Sequence, residues 1–141
     1  ALGITFVPYA PLGRGIVAAD KGRPEVAFAA GDFRATLERA QPENLARNQR
    51  LSDLLHEIGA ENGLSAFEVM LVWLMARGTD ILPIPGMRRM SSLRSNLAAE
   101  AARLDAASLA RLDQAFAPEA ISGGRYTVEK GVTENQTSSF G

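Results

Sequence analysis

Apolar positions along the chain change their spacing several times, and each change marks a predicted element. The stretch Ile4-Thr5-Phe6-Val7 is short and rich in β-branched and aromatic residues, and Pro8 closes it. This pattern predicts a buried strand. Residues 80–85 predict a second strand, although Pro83 removes a hydrogen-bond donor from its interior. Because exceptions to local rules tend to fall at functional sites, the second strand is a candidate site.

Helical spacing dominates between the two strands. Apolar residues at positions 51, 54, 55 and 58 recur at i, i+3, i+4 and i+7, which predicts an amphipathic helix that ends near Gly63. Ser65 and Glu68 then have the spacing of a capping box. The helix they begin, residues 66–77, is apolar almost all round, so we expect it to be buried on several sides.

The rest of the chain divides into two further helices and two irregular segments. One helix is predicted over residues 91–103, and Asp105 caps the next. Residues 16–41 show no sustained period, which is usual for a functional loop or lid, or else for disorder. From residue 117 onward the chain is rich in glycine, serine and threonine, so residues 117–141 are predicted to be a loose tail.

The order of strand, helices, strand and helices is that of a parallel βαβ unit in an α/β protein. Two parallel strands do not stand alone, because parallel sheets are covered on both faces and belong to larger sheets. The chain is therefore predicted to be part of an α/β structure from which most of the sheet is missing. Its first residue is Ala1 rather than methionine, as expected of a processed product or a piece of a longer chain.

Composition narrows the class of protein. The 141 residues are 46% apolar and 22% charged, and a net charge of −1 gives no electrostatic case for nucleic acid or an anionic membrane. There is no cysteine, which excludes disulfides and thiolate metal sites, and no other metal-ligand spacing stands out. The longest apolar run, residues 69–76, is too short to cross a bilayer, and without a leader pattern we expect a cytoplasmic protein.

The most informative stretch follows the second predicted strand. Pro85 and Gly86 form a turn, Arg88 and Arg89 follow, and a helical pattern then begins. Glycine lets the backbone approach a ligand closely, a helix N-terminus offers unpaired N–H groups, and arginine matches phosphate oxygens. The pattern therefore predicts the phosphate end of a nucleotide site. The alternative is a solvated helix start, although arginine at that position opposes the helix dipole.

Two longer stretches resemble one family. Gly3-Ile4-Thr5-Phe6-Val7-Pro8-Tyr9-Ala10-Pro11-Leu12-Gly13-Arg14-Gly15 resembles the seventh-strand segment of the aldo-keto reductases. Ile84-Pro85-Gly86-Met87-Arg88, with Asn96 beyond it, resembles their eighth-strand segment and cofactor clamp. Asp32-Phe33-Arg34 and Gly124-Arg125-Tyr126 are similar to the bacterial branch of the family. The resemblance implies that residues 1–141 are the C-terminal part of one TIM-type (β/α)8 barrel domain, with strands 7 and 8 and their flanking helices.

The resemblance also implies roles in binding NADP. Tyr9 corresponds to the residue that stacks on the nicotinamide ring, Arg88 to one that holds the adenosine ribose and its 2′-phosphate, and Asn96 to the asparagine that binds adenine. The loop after Tyr9 corresponds to the one that wraps the pyrophosphate. The expected cofactor-binding residues are Tyr9, Ala10, Pro11, Leu12, Gly13, Arg14, Gly15, Pro85, Gly86, Met87, Arg88, Ser92 and Asn96.

The sequence departs from the family in the clamp and in the catalytic set. An arginine common in the family is Ser92 here, and an acidic residue is Ser95, so we expect the 2′-phosphate to rest on Arg88 with Arg89 or Arg94. The family's catalytic Asp, Tyr, Lys and His lie on earlier strands and are not in this chain. No catalytic residue is therefore assigned.

These expectations describe an NADP-dependent oxidoreductase that reduces aldehydes or ketones to alcohols, with this chain supplying the cofactor-binding part. Besides the small carbonyl substrate, its expected partner is the N-terminal part of the barrel. The alternative is a truncated, non-catalytic relative that binds a nucleotide or a partner chain through exposed strand edges. Two motifs stay open: Asp32-Phe33-Arg34 is a lid element or a local turn, and Arg125-Tyr126 closes over the site or is disordered.

Overall fold

The computed structural model describes residues 3–16 and 28–126. Within these ranges the α-helices are α1, Pro42–Asn62; α2, Ala66–Met75; α3, Met90–Ala101; and α4, Ala106–Ala115. Short 3-10 turns cover Gly13–Gly15, Phe33–Thr36, Glu38–Ala40 and Pro118–Ala120. No helix in the described ranges combines the length and the apolar character needed to traverse a bilayer.

The helix ends follow the signals in the sequence. Gly63 ends α1 with a φ of 67°, in the left-handed region that glycine adopts without strain. Ser65 and Glu68 form the predicted capping box: the Glu68 N–H donates to the Ser65 hydroxyl at 3.3 Å, and the Ser65 N–H donates to the Glu68 carboxylate at 2.7 Å. Asp105 caps α4 by accepting from the Ser108 N–H at 2.7 Å. These two cap predictions are confirmed.

Two clusters of the core lie on different sides of α2. Leu55 of α1, Val69 of α2 and Leu112 of α4 are fully buried in one cluster. On another side of α2, Leu71 packs in a second cluster with Ala99 of α3. Burial of a leucine or valine side chain stabilises the fold by about 1.5–3 kcal/mol. The prediction that this helix is buried on several sides is confirmed, although it ends at Met75 rather than at residue 77.

Two extended segments run parallel and side by side. Phe6 pairs with Ile81 and Tyr9 pairs with Ile84, so both pairs have the same offset along the chain. The Leu82 N–H donates to the Phe6 carbonyl at 2.9 Å. The pairing has the parallel direction that the βαβ order predicts, but within the described residues it consists of isolated bridges. The two predicted strands are therefore not confirmed as strands.

The prediction that the first segment is buried is wrong for the described chain. Ile4 is 68% exposed and Phe6 is 63% exposed, and the paired segment leaves Leu82 59% and Ile84 53% exposed. An apolar strand is buried only when neighbouring strands and helices cover both of its faces. Within the described ranges, each of these segments pairs with the other alone.

The segment after α4 returns to α1. The N–H and the carbonyl of Ser122 both bond to the side chain of Asn48, a residue of α1 that is only 8% exposed. Residues 127–141 of the predicted tail and residues 17–27 of the predicted loop lie outside the described residues. For the tail as a whole, looseness stays a prediction.

Candidate functional site

The two stretches singled out in the sequence begin side by side. Tyr9 is bridged to Ile84, so the loop that follows Tyr9 and the turn at Pro85 and Gly86 leave the paired segments at the same end. Backbone pairing thus brings together two groups of predicted site residues that lie far apart in the sequence. In α/β proteins, ligands bind outside the carboxyl ends of parallel strands.

The loop after Tyr9 has an unusual backbone. Ala10 and Arg14 have φ values of 47° and 59°, and Gly13 and Gly15 have values of 56° and 79°. A left-handed conformation costs a non-glycine residue about 1–2 kcal/mol. Tight turns hold the loop: the Gly13 N–H donates to the Ala10 carbonyl at 3.0 Å, and the Gly15 N–H donates to the Leu12 carbonyl at 2.9 Å. Strain of this kind is concentrated at functional sites.

The Asp32-Phe33-Arg34 turn packs against this loop. Asp32 accepts from the Arg34 backbone N–H at 2.9 Å and from Nη2 of the same arginine at 2.6 Å, and the bonds to Arg34 hold the pKa of the Asp32 carboxyl below its usual range. Nη1 of Arg34 donates to the Arg14 carbonyl at 3.2 Å. The Arg14 guanidinium lies 5.4 Å from the ring centre of Phe33 and 5.3 Å from that of Tyr126. The motif is thus a local turn that also supports the glycine-containing loop.

An open cavity of about 440 Å³ lies at the N-terminus of α3 and is lined by Gly86, Arg88, Arg89 and Ser92. Arg89 is the N-cap residue and provides no side-chain cap, and the first turn of α3 contains no acidic residue. The unpaired N–H groups and the positive end of the helix dipole therefore lie at the helix start beside a cavity that is lined by two arginine residues. Ser92 replaces an expected arginine but lies on the same cavity, where its hydroxyl can donate a hydrogen bond. This arrangement suits a phosphate group.

Asn96 carries an unsatisfied donor. Its Nδ2 is buried and has no hydrogen-bond partner among the described residues. Buried polar side-chain atoms nearly always have a partner, so an exception suggests a ligand atom. The neighbouring Ser95 is already engaged, because its hydroxyl donates to Oε1 of Glu68 at 2.8 Å. Water, a ligand atom or a residue outside the described ranges could supply an acceptor for Nδ2 of Asn96.

The Tyr9 side chain is half-exposed, and the guanidinium group of an arginine lies over its ring. The guanidinium carbon of Arg125 lies 5.0 Å from the ring centre. A second cavity, of about 260 Å³, is lined in part by Tyr9, Pro11 and Arg125 and extends to Met70 and Trp73 of α2. Met70 and Trp73 also contact the core cluster, as the sequence analysis expects for a helix buried on several sides.

The sequence alone matches a known family over most of its length. A sequence model of the Aldo/keto reductase family matches residues 1–117. The chain belongs to the aldo/keto reductase family. The aldo-keto reductase yakc of Schizosaccharomyces pombe, whose name adds NADP(+), is 37% identical over 123 residues, which are 87% of this chain and 36% of that protein. Probable aldo-keto reductase 1 of Glycine max is 32% identical over 125 residues, which are 89% of this chain and 36% of that protein.

The chain spans only part of the length of its relatives. The family implies a (β/α)8 barrel, and this chain corresponds to 36% of the length of each of the two relatives. Most of such a barrel therefore has no counterpart in the 141 residues. The two relatives come from a yeast and a plant, so assignment to a bacterial branch of the reductases stays a prediction.

One feature of this chain was not predicted from the sequence. Asn44 and Asn48 lie one turn apart on the same face of α1 and bind Ser122, the first residue of the segment 122–126, which we call the strap. Two asparagines at i and i+4 near a helix start were the available signal, but asparagine is equally common on solvated helix surfaces. The partner lies 74 residues away from Asn48, so no local pattern could identify it.

Proposed function

We propose that this chain supplies the cofactor-binding part of an NADP-dependent aldo-keto reductase that reduces aldehydes or ketones to alcohols. In this proposal residues 4–8 and 80–85 are strands 7 and 8 of the barrel. The observation that carries it is the bridge between Tyr9 and Ile84, which aligns an aromatic residue and a strained glycine loop with the arginine-lined helix start. The name of the fission yeast relative, which specifies NADP(+), supports the choice of cofactor.

The described residues fit the parts of NADP. The arginine-lined cavity at α3 would take the 2′-phosphate, with Arg88 as the principal partner and Arg89 beside it, whereas Arg94 is not among the residues that line this cavity. Nδ2 of Asn96, which is buried and has no partner in the part of the chain that the structure describes, would donate to an acceptor on adenine. The turn formed by residues 10–15 would carry the pyrophosphate, and the ring of Tyr9, which is half-exposed, would carry the nicotinamide.

The chain's own residues bind and orient, while NADPH supplies the hydride when bound. Tyr9 fixes which face of the nicotinamide meets the substrate, because a flat aromatic surface contacts the ring at little cost in entropy. The residue that protonates the carbonyl oxygen would come from the N-terminal part of the barrel. The same part would cover Val7, Tyr9, Leu82 and Ile84, which are 47–59% exposed and share one face of the paired segments.

The test uses the full-length protein that carries this sequence. We expect consumption of NADPH, followed by its absorbance, when simple aldehydes or ketones are added. Arg88→Ala should weaken NADPH binding by about tenfold to 100-fold and leave NADH binding within about twofold, because a charge-assisted hydrogen bond contributes about 1.5–3 kcal/mol. Arg103→Ala is the matched control, since Arg103 lies beyond the end of α3 and donates to backbone carbonyls there.

Two results would contradict the proposal. One is an equal loss of NADPH and NADH affinity in Arg88→Ala, which would remove the 2′-phosphate from this cavity. The other is the absence of turnover with every carbonyl compound tried. Tight NADPH binding without turnover would instead favour the second candidate, a non-catalytic nucleotide-binding relative, for which the exposed apolar edges of the paired segments would serve a partner chain.

A further inference from the structure

The strap, residues 122–126, is held by a dense set of hydrogen bonds. Asn48 uses both ends of its amide: Nδ2 donates to the Ser122 carbonyl at 2.8 Å, and Oδ1 accepts from the Ser122 N–H at 2.9 Å. The Ser122 hydroxyl donates to Oδ1 of Asn44 at 2.6 Å. The Gly124 N–H donates to Oε2 of Glu38 at 2.6 Å. An amide that bonds both backbone groups of one residue fixes the position and the direction of the chain at that residue.

Gly123 occupies a position in the strap where a side chain would not fit without moving the backbone. Its φ is +81°, and a Cβ added there would lie 2.9 Å from Nδ2 of Asn44 and 3.0 Å from the backbone N of Arg39. The Gly123 carbonyl also accepts from Nε of Arg39 at 2.8 Å. The strap therefore approaches the start of α1 as closely as a glycine permits, and a side chain at this position would push it away.

The anchored strap carries two residues to the candidate cofactor site. The Arg125 guanidinium carbon lies 5.0 Å from the ring centre of Tyr9, and the Tyr126 ring centre lies 5.3 Å from the guanidinium carbon of Arg14. Tyr9 and Arg14 are the residues assigned above to the nicotinamide and to the pyrophosphate. Consecutive strap residues thus contact both positions where the reacting half of the cofactor would lie.

We propose that the strap is a gate for the cofactor: Arg125 occupies the ring of Tyr9 in the free protein and must leave before a nicotinamide can stack there. The proposal rests on the proposed function of Tyr9. In this proposal the nicotinamide would use the same ring face that the Arg125 guanidinium lies over. One ring face cannot hold both groups at once, so each lowers the apparent affinity for the other. The oxidised nicotinamide is itself cationic, which makes its sharing of the site with a guanidinium more unfavourable still.

The direction in which one substitution changes the affinity for the cofactor distinguishes a gating residue from an ordinary binding residue. The cofactor is an anion, so removing an arginine beside it normally weakens binding. If Arg125 competes for Tyr9, Arg125→Ala should instead tighten the binding of NADPH and NADP+ to the full-length protein, by about two- to fivefold. Dissociation constants are read from calorimetry, so that the result does not depend on turnover. Arg111→Ala is the control for net charge, because Arg111 pairs with Glu57 and Glu61 away from the site.

A second variant tests the anchor without changing charge. Gly123→Ala should displace the strap and also tighten cofactor binding. Gly63→Ala is the matched control, because Gly63 also has a positive φ but has no atom within 4 Å of the added Cβ. Gly63→Ala should therefore leave the dissociation constants unchanged.

Each outcome decides between the two proposals. Wild-type protein that binds NADPH, together with an unchanged or weakened Arg125→Ala variant, overturns the gate and leaves the proposed function standing. Absence of NADPH binding by the wild type and by both variants overturns the proposed function, and the gate with it. Tighter binding in both Arg125→Ala and Gly123→Ala supports both.

Discussion

Replacing Asn48 with alanine tests how the strap is held. Asn48 lies on α1 and is 8% exposed, and its amide bonds both the N–H and the carbonyl of Ser122. Asn48→Ala removes the amide that bonds both backbone groups of Ser122. The N–H and the carbonyl of Ser122 must then form hydrogen bonds with water instead. The rest of α1 should be unaffected, because alanine is the most favourable residue in a helix interior.

The size of the effect follows from the two lost bonds. A hydrogen bond between neutral groups contributes about 1 kcal/mol net, so the strap should lose about 2 kcal/mol of stability against local opening. Because about 1.4 kcal/mol corresponds to a factor of ten, the open population should rise about 30-fold. The opening is local, since segments of a protein open with free energies well below that of global unfolding.

Amide hydrogen exchange at Gly124 measures this opening. The Gly124 N–H donates to Glu38 rather than to Asn48, so the substitution leaves its own bond intact. We expect its exchange to accelerate about 30-fold in Asn48→Ala. Gln49→Ala is the matched control: Gln49 is the next residue on α1, and its Nε2 bonds the exposed Asp53 at 3.0 Å. Unchanged exchange at Gly124 in Asn48→Ala would refute the view that Asn48 anchors the strap.

Two further predictions concern the core and the effect of acid. Leu112→Ala, at a fully buried position, should destabilise the fold by about 2–5 kcal/mol, whereas Leu97→Ala, at a position 60% exposed, should change it by less than about 0.5 kcal/mol; equal shifts in denaturant midpoint would contradict the described core. Hydrogen bonds from the indole of Trp73 and from Arg77 lower the pKa of Asp113. The stability contributed by the Asp113 carboxylate is therefore complete above its ordinary pKa of about 3.9 and is lost as pH falls through the lower folded value. Fluorescence of Trp73, the single tryptophan, should follow that loss, and an identical acid transition in Asp113→Asn would refute the assignment.

Local interactions explain why some features could be predicted from the sequence. The capping box of Ser65 and Glu68 and the cap at Asp105 form as expected, because a cap joins groups three residues apart. The core leucines also follow their helical spacing. The grouping of Gly86, Arg88, Arg89 and Ser92 around one cavity follows from a turn, a helix start and two arginines that are neighbours in the chain, while anion binding by these residues stays a prediction.

Burial of the first segment could not be judged from its own pattern. The apolar character of Ile4 and Phe6 predicts that their side chains are buried. Only the tertiary structure shows whether the described residues bury them. The irregular loop likewise gave no sign that Arg34 bonds the Arg14 carbonyl. That contact depends on how the chain returns to the glycine-containing loop.

The sequence by itself determined the helices, their caps and the family, because these depend on spacing and on short motifs. The tertiary structure decided that the buried Nδ2 of Asn96 has no partner among residues 3–16 and 28–126, and that the segment after α4 is hydrogen-bonded to α1. It also decided that Arg125 lies over Tyr9, from which it is separated by more than a hundred residues of chain. Contacts of that range depend on how whole elements pack, and packing is set by many residues together rather than by any one pattern.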